Sequence, residues 1–177
     1  MVLRAYERED VRMFWEAAQS GDGRGEELRD WRKPPRSLAE MEREFDRNAD
    51  DPPSDVAEFL IQVDGRAIGD VDLFRIDERN RSAMVGIGIW RAEDRGQGYG
   101  YDALRSLVRW AFAHLNMHRI ELSCDPENAP AVRIYERCGF VVEGRRRKAH
   151  YQRGGYDDEL MMGLLREDFE AADGVGS

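Results

Sequence analysis

The sequence predicts an α+β fold: a mixed, mostly antiparallel central sheet of about six to seven strands flanked by helices. Three observations carry that prediction. Apolar residues recur at helical spacing near the N-terminus, switch to strand alternation over 59–90, and return to helical spacing after Gly100. Turn signals at Asp64-Gly65 and over 77–82 join the alternating runs into an antiparallel meander. Helical and strand patterns then alternate towards the C-terminus.

The elements follow in order. Arg8 to Gln19 reads as a helix, with Val11, Phe14, Trp15 and Ala18 on one stripe, broken by Gly21 to Gly25. Ser37-Leu38-Ala39-Glu40 is a capping box, so a second helix runs to about Asn48 with Leu38, Met41 and Phe45 inward. After the Pro-rich loop over 50–54, strands are expected over Phe59–Val63, Ala67–Ile76 and Met84–Trp90. A long helix follows Gly100, with Leu104, Leu107, Val108, Ala111, Phe112 and Leu115 on its inner face.

Arg119–Cys124 reads as a short strand. Pro130 fits a helix's first turn, Ala131, Ile134, Tyr135 and Cys138 form its inner face, and Gly139 ends it. Phe140–Val142 and Tyr156–Leu165 read as the last strands, and Asp168–Ser177 as a frayed tail. One composition runs throughout, so residues 1–170 are expected to form a single domain and 171–177 a flexible tail.

Composition narrows the function classes. The chain is 41% hydrophobic and 36% charged, as expected of a solvated globular domain. No apolar run approaches the roughly 18–20 residues of a membrane span, and Met1–Tyr6 has no secretory pattern, so a cytoplasmic protein is expected. The net charge of −9 disfavours nucleic acid and anionic lipid as partners and favours cationic ones such as amines. The exception is the basic run Arg145-Arg146-Arg147-Lys148, read as a solvated strand face or an anion contact. Cys124 and Cys138 lack a metal-ligand spacing and read as buried free thiols. His114, His118 and His150 are scattered, so no metal site is expected.

Arg95-Gly96-Gln97-Gly98-Tyr99-Gly100 lies between a strand and the long helix. Glycines let the backbone approach a ligand closely, and the first amides of a helix are unpartnered and partly positive. Together they suit a phosphate, to which Arg95 can add a charge-assisted bond. Gly100 is followed by Tyr101-Asp102, not Lys-Ser/Thr, which excludes a Walker loop. Tyr101 also occupies the place of the third glycine of a Rossmann fingerprint begun at Gly96. A plain tight connection between strand and helix is the other reading of this turn alone.

Further on stands Asn128-Ala129-Pro130-Ala131, then Tyr135 and Gly139-Phe140. With these two motifs in order, the chain resembles the GNAT superfamily of N-acetyltransferases. Its Arg/Gln-x-x-Gly-x-Gly/Ala signature is matched by Arg95, Gly98 and Gly100, and its second motif by Asn128, Ala131, Tyr135, Gly139 and Phe140. The resemblance covers nearly the whole chain, from a Leu3-Arg4 strand and the Glu7-Arg8-Glu9-Asp10 helix start to the Tyr156–Leu165 strand. The 119–122 segment and the 135–144 run resemble the branch of ribosomal-protein N-terminal and spermidine acetyltransferases.

The resemblance implies acetyl-CoA as donor. It implies a pantetheine arm paired with Gly88, Ile89 and Trp90, and a pyrophosphate on the backbone of Arg95, Gly96, Gln97, Gly98, Tyr99 and Gly100. Asn128 would hydrogen-bond or orient the pantetheine, and Tyr135 would donate a proton to the leaving thiolate. Beside these roles, Asn128 also suits a helix N-cap, Tyr135 and Tyr99 suit packing, and Trp90 suits either the acceptor cleft or the core.

Many relatives carry a Glu base in a pattern like Ala-Glu-Ile-Gly. This chain has Ala83-Met84-Val85-Gly86, and Met84 cannot take a proton. Asp70 and Asp72 share one strand face; Asp72 is the candidate base, an exposed polar strand face the alternative. The loop from Asp22 to Pro35, with Glu26, Glu27 and Asp30, reads as a charged surface loop or as the lining of a cationic acceptor site. The expected function is acetyl transfer to a primary amine on a protein N-terminus, a polyamine or another small amine. A non-catalytic acyl-CoA-binding module is the alternative, and exposed strand edges invite a homodimer.

Overall fold

The computed structural model describes residues 1–19, 36–152 and 154–173. The elements are β1 (Val2–Arg4), α1 (Asp10–Gln19), α2 (Leu38–Asp50), β2 (Val56–Val63), β3 (Arg66–Asp77) and β4 (Ser82–Ile89). A single 3-10 turn (Ala92–Asp94) leads to α3 (Tyr99–His114), β5 (Arg119–Cys124), α4 (Ala129–Arg137), β6 (Val141–Gln152), β7 (Gly155–Leu165) and α5 (Arg166–Asp173). The charged loop expected over 22–35 lies outside the described residues. Among the described residues no helix is long and apolar enough to cross a membrane.

The strands form one seven-stranded sheet in the order β1-β2-β3-β4-β5-β7-β6. Each neighbouring pair is antiparallel except β4 and β5, which run parallel with α3 as the crossover between them. The β2–β3 turn is the expected Asp-Gly pair, both residues at positive φ (49° and 80°), as its two-residue geometry requires.

One face of the sheet packs on α3. Leu104, Leu107 and Val108 meet Val71, Leu73, Ile120, Leu122 and Leu164 there, all 0–1% exposed. The other face carries a smaller cluster of Leu60, Ala67 and Trp90 beneath Tyr6, Met13, Phe14 and Ala17. Arg4 fixes the start of α1 under this face by a bidentate pair to the buried Asp10, at 2.6 and 2.8 Å. The α2 capping box forms as read, with the Ser37 amide donating to the Glu40 carboxylate at 2.8 Å.

Two expectations are corrected. The frayed tail from Asp168 is instead largely helix α5, because Phe169 is buried against Phe112 with ring centroids 5.6 Å apart. Arg166 anchors the helix start on the carbonyl oxygens of Met117, at 2.9 Å, and Phe112. The strand expected to end at Val142 continues to Gln152 and carries the basic run. Arg145 bonds Asp158 at 2.6 Å and Arg146 bonds Glu159 at 2.7 Å across the β6–β7 ladder, so these two cations are matched locally. Lys148 at φ 51° marks the irregularity in that ladder.

Candidate functional site

The site begins where β4 and β5 part. Among the described residues they pair at Ser82–Arg119, Ala83–Ile120 and Met84–Glu121, and the ladder between the two strands stops there. This leaves a wedge between Val85–Ile89 and Leu122–Cys124. A strand flank without a ladder partner suits an extended polar chain that adds as a further strand.

The glycine turn lies at the open end of the wedge. Gly96 and Gly98 both take positive φ (73° and 88°), and Gly98 is the left-handed N-cap of α3, without a capping side chain. The first intrahelical bond comes from the amide of Asp102 to the carbonyl of Gly98. The amides of Tyr99, Gly100 and Tyr101 therefore precede the helical bonding pattern and carry the positive end of its dipole. A Cβ at Gly96 or Gly98 would meet no atom within 4 Å, so the space beside each of these glycines is open.

Arg95 braces the turn. Its guanidinium donates to the carbonyls of Ile89, at 3.2 Å, and Trp90, at 3.0 Å, and so holds the end of β4 to the turn. The Trp90 amide donates to Ile68 at 2.9 Å, and its indole donates to Asp70. Trp90 is buried, in edge contact with Phe14 at 5.5 Å. Both its backbone groups and its ring nitrogen thus have partners within the fold.

Opposite the turn stands α4. Asn128 caps it, its Oδ1 accepting from the Ala131 amide at 3.3 Å, with Pro130 in the first turn. The cap orients Ile134 against the first turn of α3, 3.7 Å from the position of a Cβ at Gly100. Tyr135, one residue on, is half-buried in edge contact with Phe140. Burial pushes its phenol up to about 12, and among the described residues the hydroxyl has no hydrogen-bonding partner. Burial also raises both nearby thiols, that of Cys138 to about 11, so neither is primed as a nucleophile.

On the face under α1 the register brings acids together. Glu58 of β2 is the ladder partner of Asp72, and Asp70 is two residues along the same strand. Burial, then the charge of its neighbours, lifts Asp72 to about 7. Burial lifts Asp70 to about 6 against the opposing effect of the Trp90 indole. Glu58, the most exposed of the three, is also raised by desolvation. Burial, and then the charges of all three, push the Tyr6 phenol upward. Among the described residues none of the three carboxylates has an ion-pair partner. The alternative of an exposed polar strand face is therefore corrected for Asp70 and Asp72: both are partly enclosed, and their charged forms are disfavoured.

Sequence reasoning found Asp70 and Asp72 but missed Glu58 and Tyr6. Strand alternation fixes which residues share a face within one strand, whereas the β2–β3 register that sets Glu58 opposite Asp72 includes a bulge at Ile61/Gln62.

Comparison with known proteins gives this geometry a setting. A family model described as the acetyltransferase (GNAT) domain matches residues 1–141. Spermidine N(1)-acetyltransferase of Escherichia coli K12 is 28% identical over 170 residues, 96% of this chain and 88% of that protein. The Vibrio cholerae spermidine N(1)-acetyltransferase is 29% identical over 96% of this chain and 95% of its own length. A putative ribosomal N-acetyltransferase of Bacillus subtilis is 32% identical over 60% of this chain and 58% of that protein. The crystal structure of the Vibrio cholerae spermidine N-acetyltransferase in complex with CoA and spermine superposes with a TM-score of 0.81 at 29% identity. It covers 95% of this chain and 96% of that one.

Proposed function

The chain belongs to the acetyltransferase (GNAT) family and is an N-acetyltransferase, and from that premise we propose that it moves an acetyl group from acetyl-CoA directly to a primary amine of a cationic, polyamine-like acceptor. The observation that carries the reading is the parting of β4 from β5 beyond Met84, directly beside the left-handed glycine turn. A pantetheine arm alongside Gly88 and Ile89 would deliver its pyrophosphate to the amides between Gly96 and Tyr101. Trp90 and Arg95 then serve as the frame, and Asn128 as the cap that orients α4 towards the thioester.

The acceptor reading rests on charge. Glu58, Asp70 and Asp72 meet on one face with no cation of their own among the described residues. A bound ammonium would relieve the electrostatic cost of three crowded carboxylates. The names of the spermidine acetyltransferases similar to this chain support the same acceptor class.

The reaction follows from the groups present. The amine nitrogen bonds to the thioester carbonyl carbon, and the carbon–sulfur bond breaks. Attack requires the neutral amine, the minor fraction of an alkylammonium of pKa about 10.4 that has already given its first proton to bulk water. Asp72, at about 7, is suited to take the second proton after attack has made the nitrogen acidic. Tyr135, at about 12, is a weaker acid than a thiol near ~8.5. Its contribution is a hydrogen bond to the sulfur as charge develops there, not a proton given up beforehand. Such donors commonly contribute about a hundredfold or more in rate.

The reading places the protein in the cytoplasm. A pair of copies would cover the outer strand β6, where Val141 and Val142 are 59% and 46% exposed. The test of the function follows free CoA thiol while purified protein and acetyl-CoA meet spermidine, spermine, a peptide N-terminus and a neutral amine in turn. Fast thiol release with the polyamines supports the proposal; equal, background-level release with every acceptor refutes it.

A further inference from the structure

Gly86 of β4 lies opposite Asp72 in the β3–β4 ladder, and the space its side chain would take is filled by the Asp72 carboxyl group. A Cβ at residue 86 would stand 2.7 Å from Oδ1 of Asp72, 3.3 Å from its Cγ and 3.3 Å from Oδ2. Carbon and carboxyl do not pack that closely, so any other residue at 86 displaces the acid. Nothing in the backbone asks for glycine here, since Gly86 is not among the residues with positive φ. The glycine is needed by its neighbour.

The consequence is a carboxyl group that belongs to β3 but lies over β4. Met84 and Gly86 share that face of β4, two residues apart, and Met84 supplies no proton acceptor. Asp70 is not equivalent to Asp72. Its carboxyl is engaged by the Trp90 indole, and its Oδ1 would meet a Cβ at Gly88 at an ordinary 3.5 Å. Of the two acids, only Asp72 both depends on a missing side chain and has no hydrogen-bonding partner among the described residues.

We propose that Gly86 is a positioning residue for the proton acceptor: its lack of a side chain lets Asp72 reach across the strand boundary to the wedge between β4 and β5. The inference rests on the reading of Asp72 as proton acceptor given above. It also accounts for how an enzyme of this family can work with methionine at residue 84. The acid is supplied by the adjacent strand, and a glycine two residues along makes room for it.

The test is a double-mutant cycle of Gly86→Ala, Asp72→Ala and the pair, read by steady-state kinetics and by thermal melting. Asp72→Ala should lower kcat about a hundredfold. Gly86→Ala should lower kcat at least about tenfold with the KM for acetyl-CoA within about twofold. The pair should be no slower than Asp72→Ala alone. Any melting change that Gly86→Ala causes through this contact should be absent when residue 72 is alanine, because no carboxyl is left to displace. Rate losses that multiply in the pair, or a melting loss that persists in the Asp72→Ala background, would overturn the proposal. An Asp72→Ala protein with full kcat would remove the proton-acceptor reading and the positioning role with it, while the melting cycle would still report the contact itself.

Discussion

Asp94 accepts two hydrogen bonds from Arg66, at 2.8 and 2.5 Å, and so ties the first residue of β3 to the 3-10 turn that precedes the glycine cradle. Asp94 is only 6% exposed, and the guanidinium holds its carboxyl below the usual carboxylate range. With Arg95 gripping the end of β4, the pair fixes where the turn begins. Both anchors lie outside the signature glycines, yet the cradle's position depends on them.

Asp94→Ala should therefore weaken acetyl-CoA binding without touching the ligand. Arg66 is half exposed, so the stability cost is about 1–2 kcal/mol. Calorimetric titration with acetyl-CoA should show a several-fold weaker Kd, and Arg66→Ala should reproduce the effect.

Gly98→Val tests the cradle itself. The residue stands at φ 88°, ψ −11°, and an added Cβ meets no atom within 4 Å. The effect must come from the backbone: a β-branched residue in the left-handed region costs about 1–3 kcal/mol. The acetyl-CoA Kd should rise at least about tenfold, as measured by titration. Gly98→Asn should fall between valine and the parent, because asparagine tolerates this conformation.

The fold was legible wherever local chemistry decides it. The period changes, the Asp64-Gly65 turn, the Ser37–Glu40 box and the Gly139 stop, at φ 99°, are each set by a few neighbouring residues. The illegible parts depend on distant partners. Helix α5 forms because Phe169 finds Phe112, and β6 extends because β7 pairs with it as far as Gly155. The site divides the same way. The turn and the Asn128–Tyr135 motif stand out by their spacing, and their roles are what the family resemblance implies. The wedge, the register that sets Glu58 beside Asp72, and the opening left by Gly86 exist only once strands pair.

Asp72 should give activity and stability opposite pH dependences. Its folded pKa of about 7 lies above the ordinary 3.8, so the folded chain binds the extra proton between those values. The stability this group contributes is present at low pH and is lost as pH rises through that window. Asp72→Asn should melt higher than the parent at about pH 8, with the advantage shrinking towards about pH 4. The parent's kcat should instead rise with pH through about 7, and Asp72→Asn should lose that limb.

Tyr135→Phe removes the hydroxyl and keeps the ring that packs on Phe140. Turnover should fall about a hundredfold while the acetyl-CoA Kd stays within about twofold. Equal losses in turnover and affinity would assign the hydroxyl to binding instead.

The most direct measurement is mass spectrometry of the acceptor after incubation of the protein with acetyl-CoA and spermidine. Singly acetylated spermidine should accumulate in proportion to released CoA thiol, and both should collapse together in Gly98→Val and Tyr135→Phe. Acetyl-CoA binding with no acetylated spermidine or spermine, or acetylation of a neutral amine in preference to both, would contradict the account.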